Sequence, residues 1–285
     1  MSQPNLSWLF ETEALKIAPA DQPFWYTSGL IGPYYINTQF LCGGEAKAKE
    51  VLDLIEQKQY DHDKFHAILM TKLREIYQSH AIYRQTIDLM VQQVQTDFPF
   101  DQIDYISGGQ RRDWFFAPLV AELTHKPLLY VYNDQSIYLA DGTPAFDLKS
   151  AQVINVADLL TVASSYIDKW IPALAHSNAK LLWSLTGVDR KQGGEQILLD
   201  AGLTIVKSLF SIDLKLFEQA LELEYIDQAQ FELVKGFIQD PHGSMRSFIQ
   251  SHPDFLEAAL NSPDPKTKQR AEKQAAEDLY GLSQR

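Results

Sequence analysis

From Val153 to Ser165 the chain reads VINVADLLTVASS. An apolar run of strand length leads to Asp158. Three hydroxyl residues, Thr161, Ser164 and Ser165, then lead into a helical pattern that lasts from about Ser164 to His176. The same rhythm extends on both sides. Ile103–Ile106, Pro127–Val131, Gln152–Val156, Lys180–Leu185 and Leu203–Leu209 read as short strands. Helical patterns at Asp113–Leu123 and Gln192–Ala201 continue the alternation. Strand and helix in turn predict an α/β fold, a parallel sheet with helices on both faces. Tyr132–Ser150 interrupts the rhythm. It is polar, carries Asp141-Gly142-Thr143-Pro144, and reads as an extended flap or hairpin.

Outside this core, Leu6–Ile17 reads as a short amphipathic helix stopped by Pro19 and Pro23. Phe24–Tyr26 is strand-like, a turn spans Ser28-Gly29 and Gly32-Pro33, and Tyr34–Ile36 is extended. Glu45–Phe98 carries three helical segments. From Asp213 onward only helix is read, divided by prolines and a glycine, with Ser262 or Asp264 able to cap the last helix.

Composition narrows the function classes. With 45% hydrophobic and 22% charged residues, the chain has the balance of a soluble globular protein. Its net charge of -12 repels phosphate backbones, which argues against nucleic-acid binding while leaving room for a local anion pocket. No apolar run is long enough to span a membrane. Cys42 is the only cysteine, so no internal disulfide forms, and with no signal peptide at Met1–Phe10 the expected compartment is the cytoplasm. Cys42 itself reads as a small buried side chain. His62 and His66 stand four apart on a helix. Without a third ligand they read as a solvated face, and no metal-ligating set is expected.

In an open parallel sheet ligands bind beyond the carboxyl ends of the strands. That selects four loops, Ser107–Arg112, Tyr132–Lys149, Ala157–Ser165 and Thr186–Gly194. A hydroxyl-rich turn at a helix start offers backbone N–H groups and a favourable dipole to phosphate. An acid just before it, Asp158, can hold sugar hydroxyls or magnesium. The alternative is plain capping by Ser164 or Ser165, with Asp158 merely ending a strand. In the last loop Arg190 can grip a carboxylate in a bidentate fork, or simply pair with Asp189.

Four blocks in order resemble orotate phosphoribosyltransferase, of the type I phosphoribosyltransferase fold. They are Phe24–Asn37 (FWYTSGLIGPYYIN), Tyr105–Tyr132 (YISGGQRRDWFFAPLVAELTHKPLLYVY), Val153–Ser165 and Leu185–Leu203. They resemble, respectively, the family's hood motif, its pyrophosphate loop with the flanking strands and helix, its phosphoribosyl-pyrophosphate (PRPP) signature, and its V-D-R-x-x-G-G turn. The resemblance covers roughly residues 6–240. It implies a domain over 1–240, with a hood at 1–42 and a helical insertion at about 57–98, and a C-terminal helical extension at 241–285. It also implies a homodimer, and transfer of ribosyl 5-phosphate from PRPP to orotate with magnesium, giving orotidine 5′-monophosphate and pyrophosphate. In that reading Asp158 is the catalytic acid that holds the ribose hydroxyls. Thr161, Ser164 and Ser165 cradle the 5-phosphate, Arg190 faces orotate, and Ser107, Gly108, Arg111 and Arg112 approach pyrophosphate.

The chain departs from the family at charged positions. The two adjacent acids become Ala157 and Asp158, and T-T-G becomes Thr161, Val162 and Ala163. The hood lysine falls on Ile31. The R-K pair after the pyrophosphate strands falls on Tyr132 and Asn133, and Asp134–Thr143 holds no basic residue. A reaction catalysed mainly by electrostatics suffers when those cations are missing. Altered catalysis is therefore expected, with a non-catalytic nucleotide-binding or protein-interaction role on the same fold as the alternative. Arg111 and Arg112 are either replacement cations or surface charges.

Overall fold

The computed structural model describes residues 4–282. In chain order the elements are α1 (Ser7–Glu11), β1 (Leu15–Ile17), β2 (Phe24–Trp25), β3 (Ile31–Gly32), β4 (Tyr34–Ile36), α2 (Glu45–Lys58), α3 (His62–Ser79), α4 (Ala81–Asp97), β5 (Tyr105–Gly109), α5 (Ala117–Thr124), β6 (Leu128–Val131), β7 (Ile137–Leu139), β8 (Ala151–Leu160), α6 (Ile171–His176), β9 (Ala179–Asp189), α7 (Gly194–Asp200), β10 (Ile205–Ser211), α8 (Leu214–Glu222), α9 (Gln228–Gln239), α10 (Pro241–Ser251), α11 (Pro253–Leu260) and α12 (Pro265–Glu277). They form two compact units. The first holds the chain up to Ala14 and Asn37–Ile212. The second holds Leu15–Ile36 and the chain from Asp213 onward. Residues 15–36 of the expected hood thus group with the helices from Asp213 onward, and the rest of the described hood residues group with the first unit. Met1–Gln3 of the expected hood and Ser283–Arg285 of the expected extension lie outside the described residues.

The first unit is built on a six-stranded sheet in the order β10-β9-β8-β5-β6-β7. All neighbours run parallel except β7, which returns antiparallel on β6 as a hairpin. The five strands expected from sequence are all present in this one sheet, but β5, β8 and β9 run several residues further than their apolar runs. Both faces are covered. Leu129, Val131, Val153 and Ala157 point into a core with Tyr166, Trp170, Leu174 and Leu198. One residue out of phase, Tyr130 packs at 5.2 Å from Phe65 and 5.3 Å from Trp114 on the opposite side. Strands buried on both faces lose the polar alternation of a half-exposed sheet, which is why they read as continuous apolar runs.

In the second unit, β2 and β3 form a small antiparallel hairpin, β1 pairs antiparallel with β4, and the five helices α8–α12 follow. Asp264 caps α12 by accepting from the N–H groups of Lys266 and Thr267.

Two expectations fail. The helix expected over Leu6–Ile17 stops at Glu11. Glu13 takes a left-handed φ of 57°, and Leu15–Ile17 leaves the helix to pair with Tyr34–Ile36. Helical spacing at Ala14 and Ile17 was coincidental with a strand. The pair His62 and His66 is not a solvated face either. The His62 ring stacks on Tyr138 at 3.6 Å, and His66 Nδ1 lies 2.8 Å from the Tyr130 hydroxyl. Burial holds the His66 imidazole below its ordinary range. Cys42 is fully buried, as expected, and burial pushes its thiol up to about 12.

Candidate functional site

At the carboxyl ends of β5 and β8 lies a cavity of about 330 Å³. Its walls come from two segments. After β5 the chain turns through Gln110, Arg111, Arg112 and Asp113, and after Asp158 the end of β8 turns through Thr161, Ala163, Ser164 and Ser165. The cavity thus brings together Asp158, Thr161, Ser164, Ser165, Arg111 and Arg112 from the expected set. Three other expected residues do not line it. Ser107 is buried within β5, where its hydroxyl donates to Asn155 Oδ1 at 2.9 Å. Gly108 is held from within, its carbonyl accepting from Trp114 Nε1 at 2.8 Å. Strand β5 runs to Gly109, so the loop begins three residues later than the apolar pattern indicated. Arg190 follows β9, and its N–H donates to the Leu160 carbonyl at 2.9 Å.

The turn after β8 keeps a demanding backbone. Ala163 adopts φ 56°, a left-handed conformation where the related signature has glycine. The Thr161 carbonyl accepts from Gly194 N at 3.0 Å, and a Cβ on Gly194 would sit 2.4 Å from that carbonyl oxygen. Gly109 is constrained likewise, since a Cβ there would meet the Trp170 ring at 2.3 Å. Ser164 and Ser165 open the helical stretch that runs through Tyr166–Trp170 into α6. The first N–H groups of such a stretch have no partner within the helix and present a positive end to an anion.

Asp113, which sequence reading left inside a helix, is central to the floor. Its Oδ2 accepts from Gly109 N at 2.8 Å and its Oδ1 from Asp158 N at 3.0 Å. One carboxyl therefore ties the loop after β5 to the strand before the phosphate-type turn. The Asp113 and Asp158 side chains also hydrogen-bond to each other. Burial, then the Asp158 charge, pushes Asp113 up to about 8. Asp158 is raised as well, mainly by burial, with the nearby Arg112 guanidinium opposing the shift. Burial thus biases both carboxyls toward the neutral form, and the Arg112 guanidinium opposes that bias at Asp158. Beneath it, Asn155 Nδ2 donates to the Tyr166 hydroxyl at 3.0 Å, and that hydroxyl lies 2.7 Å from Ser184 Oγ. A satisfied polar network of this kind holds both loops in register.

The two arginines differ. Arg112 acts on Asp158 across the cavity. Arg111 pairs with Glu56 of α2 and is 42% exposed, so its charge is partly neutralised. The hairpin β6–β7 at the cavity edge is fixed to the body of the unit. The Tyr132 hydroxyl donates to the Gln59 carbonyl at 2.6 Å, and Gln110 Oε1 accepts from Asn133 N at 2.8 Å. Lys169 Nζ donates to Asn133 Oδ1 at 2.8 Å, placing one ammonium beside the rim.

Among the described residues no three His, Cys, Asp or Glu side chains converge as a metal cage. Asp158 and Asp113 alone offer too few oxygens to enclose a divalent cation, which would need further ligands from water or a bound anion.

No protein-family model matches the chain. Over 134 residues it is 24% identical to the orotate phosphoribosyltransferase of Sulfurisphaera tokodaii, a match spanning 47% of this chain and 66% of that one. It superposes on the orotate phosphoribosyltransferase of Francisella tularensis with a TM-score of 0.54 and 15% identity, over 82% of this chain and 96% of the other. The UMP synthase of Leishmania donovani gives 0.56 and 16%, over 82% of this chain and 41% of that one. The chain has the type I phosphoribosyltransferase fold. The orotate-type resemblance read from the four sequence blocks agrees with these relatives. Within this phosphoribosyltransferase fold, Asp113 is the residue that sequence reading missed. The available signal was the lack of a second acid beside Asp158, which directs attention to acids on the neighbouring loop.

Proposed function

We propose that this protein is an orotate-type phosphoribosyltransferase in which Asp113 replaces, from a neighbouring loop, the second acid of the PRPP signature. The observation that carries the reading is the cavity where Asp158, Asp113, Arg112 and the Thr161–Ser165 turn meet. The turn takes the 5-phosphate through backbone N–H groups and the hydroxyls of Thr161, Ser164 and Ser165. The Asp158 carboxylate accepts from the ribose hydroxyls, oriented by the proton on Asp113. Pyrophosphate leaves toward Arg112 and Arg111, with magnesium entering as part of the PRPP substrate. N1 of orotate gives up its proton to solvent and forms the new bond to C1 of the ribose as the bond from C1 to the pyrophosphate oxygen breaks. Arg190 recognises the orotate carboxylate from the end of β9. A homodimer working in the cytoplasm belongs to the same reading, and light scattering at tens of micromolar checks the dimer.

A second reading has one observation in its favour. The hairpin carries no basic residue from Asp134 to Thr143 and is packed down by the His62–Tyr138 stack, so leaving-group charge meets fewer cations than in the related signature. A protein that binds PRPP or a nucleotide without turning it over would show that pattern. Incubation with PRPP, magnesium and orotate separates the two. Pyrophosphate released in step with orotidine 5′-monophosphate supports the transferase. A thermal shift with PRPP but no pyrophosphate supports the binding protein.

A further inference from the structure

The second unit contains its own open cavity, of about 810 Å³, lined by the segment from Pro19 through β2, by Tyr35 of β4 and by helices α10–α12. Four aromatic rings line it. Trp25 and Phe255 are stacked, with centroids 5.4 Å apart and planes 8° from parallel. Phe24 and Tyr35 lie 4.9 Å apart, tilted at 50°. Arg270 of α12 reaches in among them. Its Nη1 donates to the Trp25 carbonyl at 2.8 Å, it hydrogen-bonds to the Tyr35 side chain, and the Tyr35 hydroxyl donates to the same carbonyl at 2.5 Å. Both partners are neutral. Among the described residues no carboxylate pairs with this half-buried guanidinium. The start of α11 opens into the same cavity at His252, Pro253 and Asp254, and no side chain caps it.

We propose that this cavity binds a planar aromatic carboxylate. Three features select that class. The volume suits a small organic molecule, and an aromatic lining with one convergent cation is the make-up of a ligand pocket. Parallel Trp25 and Phe255 rings favour a third flat ring in offset contact. A guanidinium held by neutral partners keeps a full positive charge and N–H donors for a carboxylate. Asp21 and Asp254 also line the cavity, as exposed residues. They repel a second negative charge, so a monoanionic carboxylate is preferred over a phosphate dianion. None of the lining residues belongs to the first unit.

Isothermal titration of the full chain with 2-naphthoate, 2-naphthyl phosphate and neutral 2-naphthamide tests this. The expected result is saturable one-to-one binding of naphthoate, with the phosphate and the amide each roughly tenfold or more weaker, as loss of one charge-assisted contact implies. Arg270→Gln should weaken naphthoate by a similar factor, while Arg190→Ala, which removes the carboxylate partner proposed in the first unit, should leave naphthoate binding unchanged. Arg270 also ties the hairpin, so a second variant guards against misfolding. Ala258→Trp fills the cavity from an exposed helix position and should abolish binding with the circular dichroism spectrum intact. The proposal is overturned if naphthoate gives no saturable heat, if the amide binds as well as the acid, or if folded Ala258→Trp binds as the parent does. Binding lost in Arg190→Ala would move the ligand to the first unit and equally refute the site.

Discussion

Two edges of one cavity differ in kind. The turn from Thr161 to Ser165 departs from the related signature in its side chains and holds a left-handed backbone at Ala163. The β6–β7 hairpin is bound into the unit by aromatic packing and carries no basic residue from Asp134 to Thr143. The difference follows from how each edge recognises an anion. A helix start uses backbone N–H groups, which no substitution removes so long as the turn is preserved. A flap uses lysine and arginine side chains, and each can be lost singly while the hairpin still folds. Backbone recognition therefore tolerates sequence drift, and side-chain recognition does not.

The largest expected effect tests whether the first edge is the working one. Asp158→Asn keeps the shape but replaces the charged acceptor proposed for the ribose hydroxyls with a neutral amide, and should lower kcat/KM for PRPP by about a hundredfold or more, the scale seen when one preorganised electrostatic contact is removed. A change below about threefold would place the chemistry elsewhere. The second edge is probed by restoring what it lacks. Asn133 lines the cavity, so Asn133→Lys sets a cation at the rim and should lower KM for PRPP by up to about tenfold, the value of one charge-assisted hydrogen bond. An unchanged KM would mean that pyrophosphate does not approach the hairpin.

Much of this arrangement was readable before any coordinates, and the failures share a cause. The parallel strands announced themselves because burial on both faces makes their apolar runs continuous, as in Val153–Val156. The turn at Thr161–Ser165 was visible because hydroxyls at a helix start have few other uses. Strand ends were not visible. Backbone pairing carries β8 through Asp158 to Leu160 and β9 through Asp189, and backbone pairing has no side-chain signature at polar positions. Asp113 was missed for a related reason. Its role depends on a meeting between residues 45 positions apart in the chain, which no local pattern encodes. The lysine position at Ile31 gives the opposite lesson. Ile31 is buried, and its N–H donates to the Tyr280 hydroxyl at 2.8 Å, so that position now serves packing in the second unit.

The acid pair predicts a pH signature of intermediate size. Asp113 has its pKa raised from 3.8 to about 8 on folding, chiefly by burial. Between those values the folded chain holds a proton that the unfolded chain has released. Stability from this group is present at the acid end of the window and declines as pH rises toward 8. Asp113→Asn removes the titration. Urea midpoints measured at pH 5 and pH 8 should therefore fall less with pH in the variant than in the parent. Equal slopes in the two proteins would show that Asp113 is ionised throughout and that the pair shares no proton.

The smallest effect concerns the backbone of the turn itself. Ala163 holds φ 56°, where a Cβ costs about 1–2 kcal/mol. Ala163→Gly relieves that strain, and the greater freedom of glycine in the unfolded chain offsets part of the gain, about 0.4–1 kcal/mol. The net expectation is a stabilisation of up to about 1 kcal/mol, a rise in Tm of roughly 2–4 °C for a chain of this size. Loss of the methyl group should also let a phosphate approach the N–H groups more closely, so PRPP should raise the Tm of the variant further than that of the parent. The two readouts separate the causes. Higher Tm without a larger ligand shift would mean that the left-handed residue matters only for folding. A variant less stable than the parent would mean that Ala163, buried among the sheet core, contributes more through packing than its strained backbone takes away, and the preserved turn would then owe its shape to that packing rather than to anion binding.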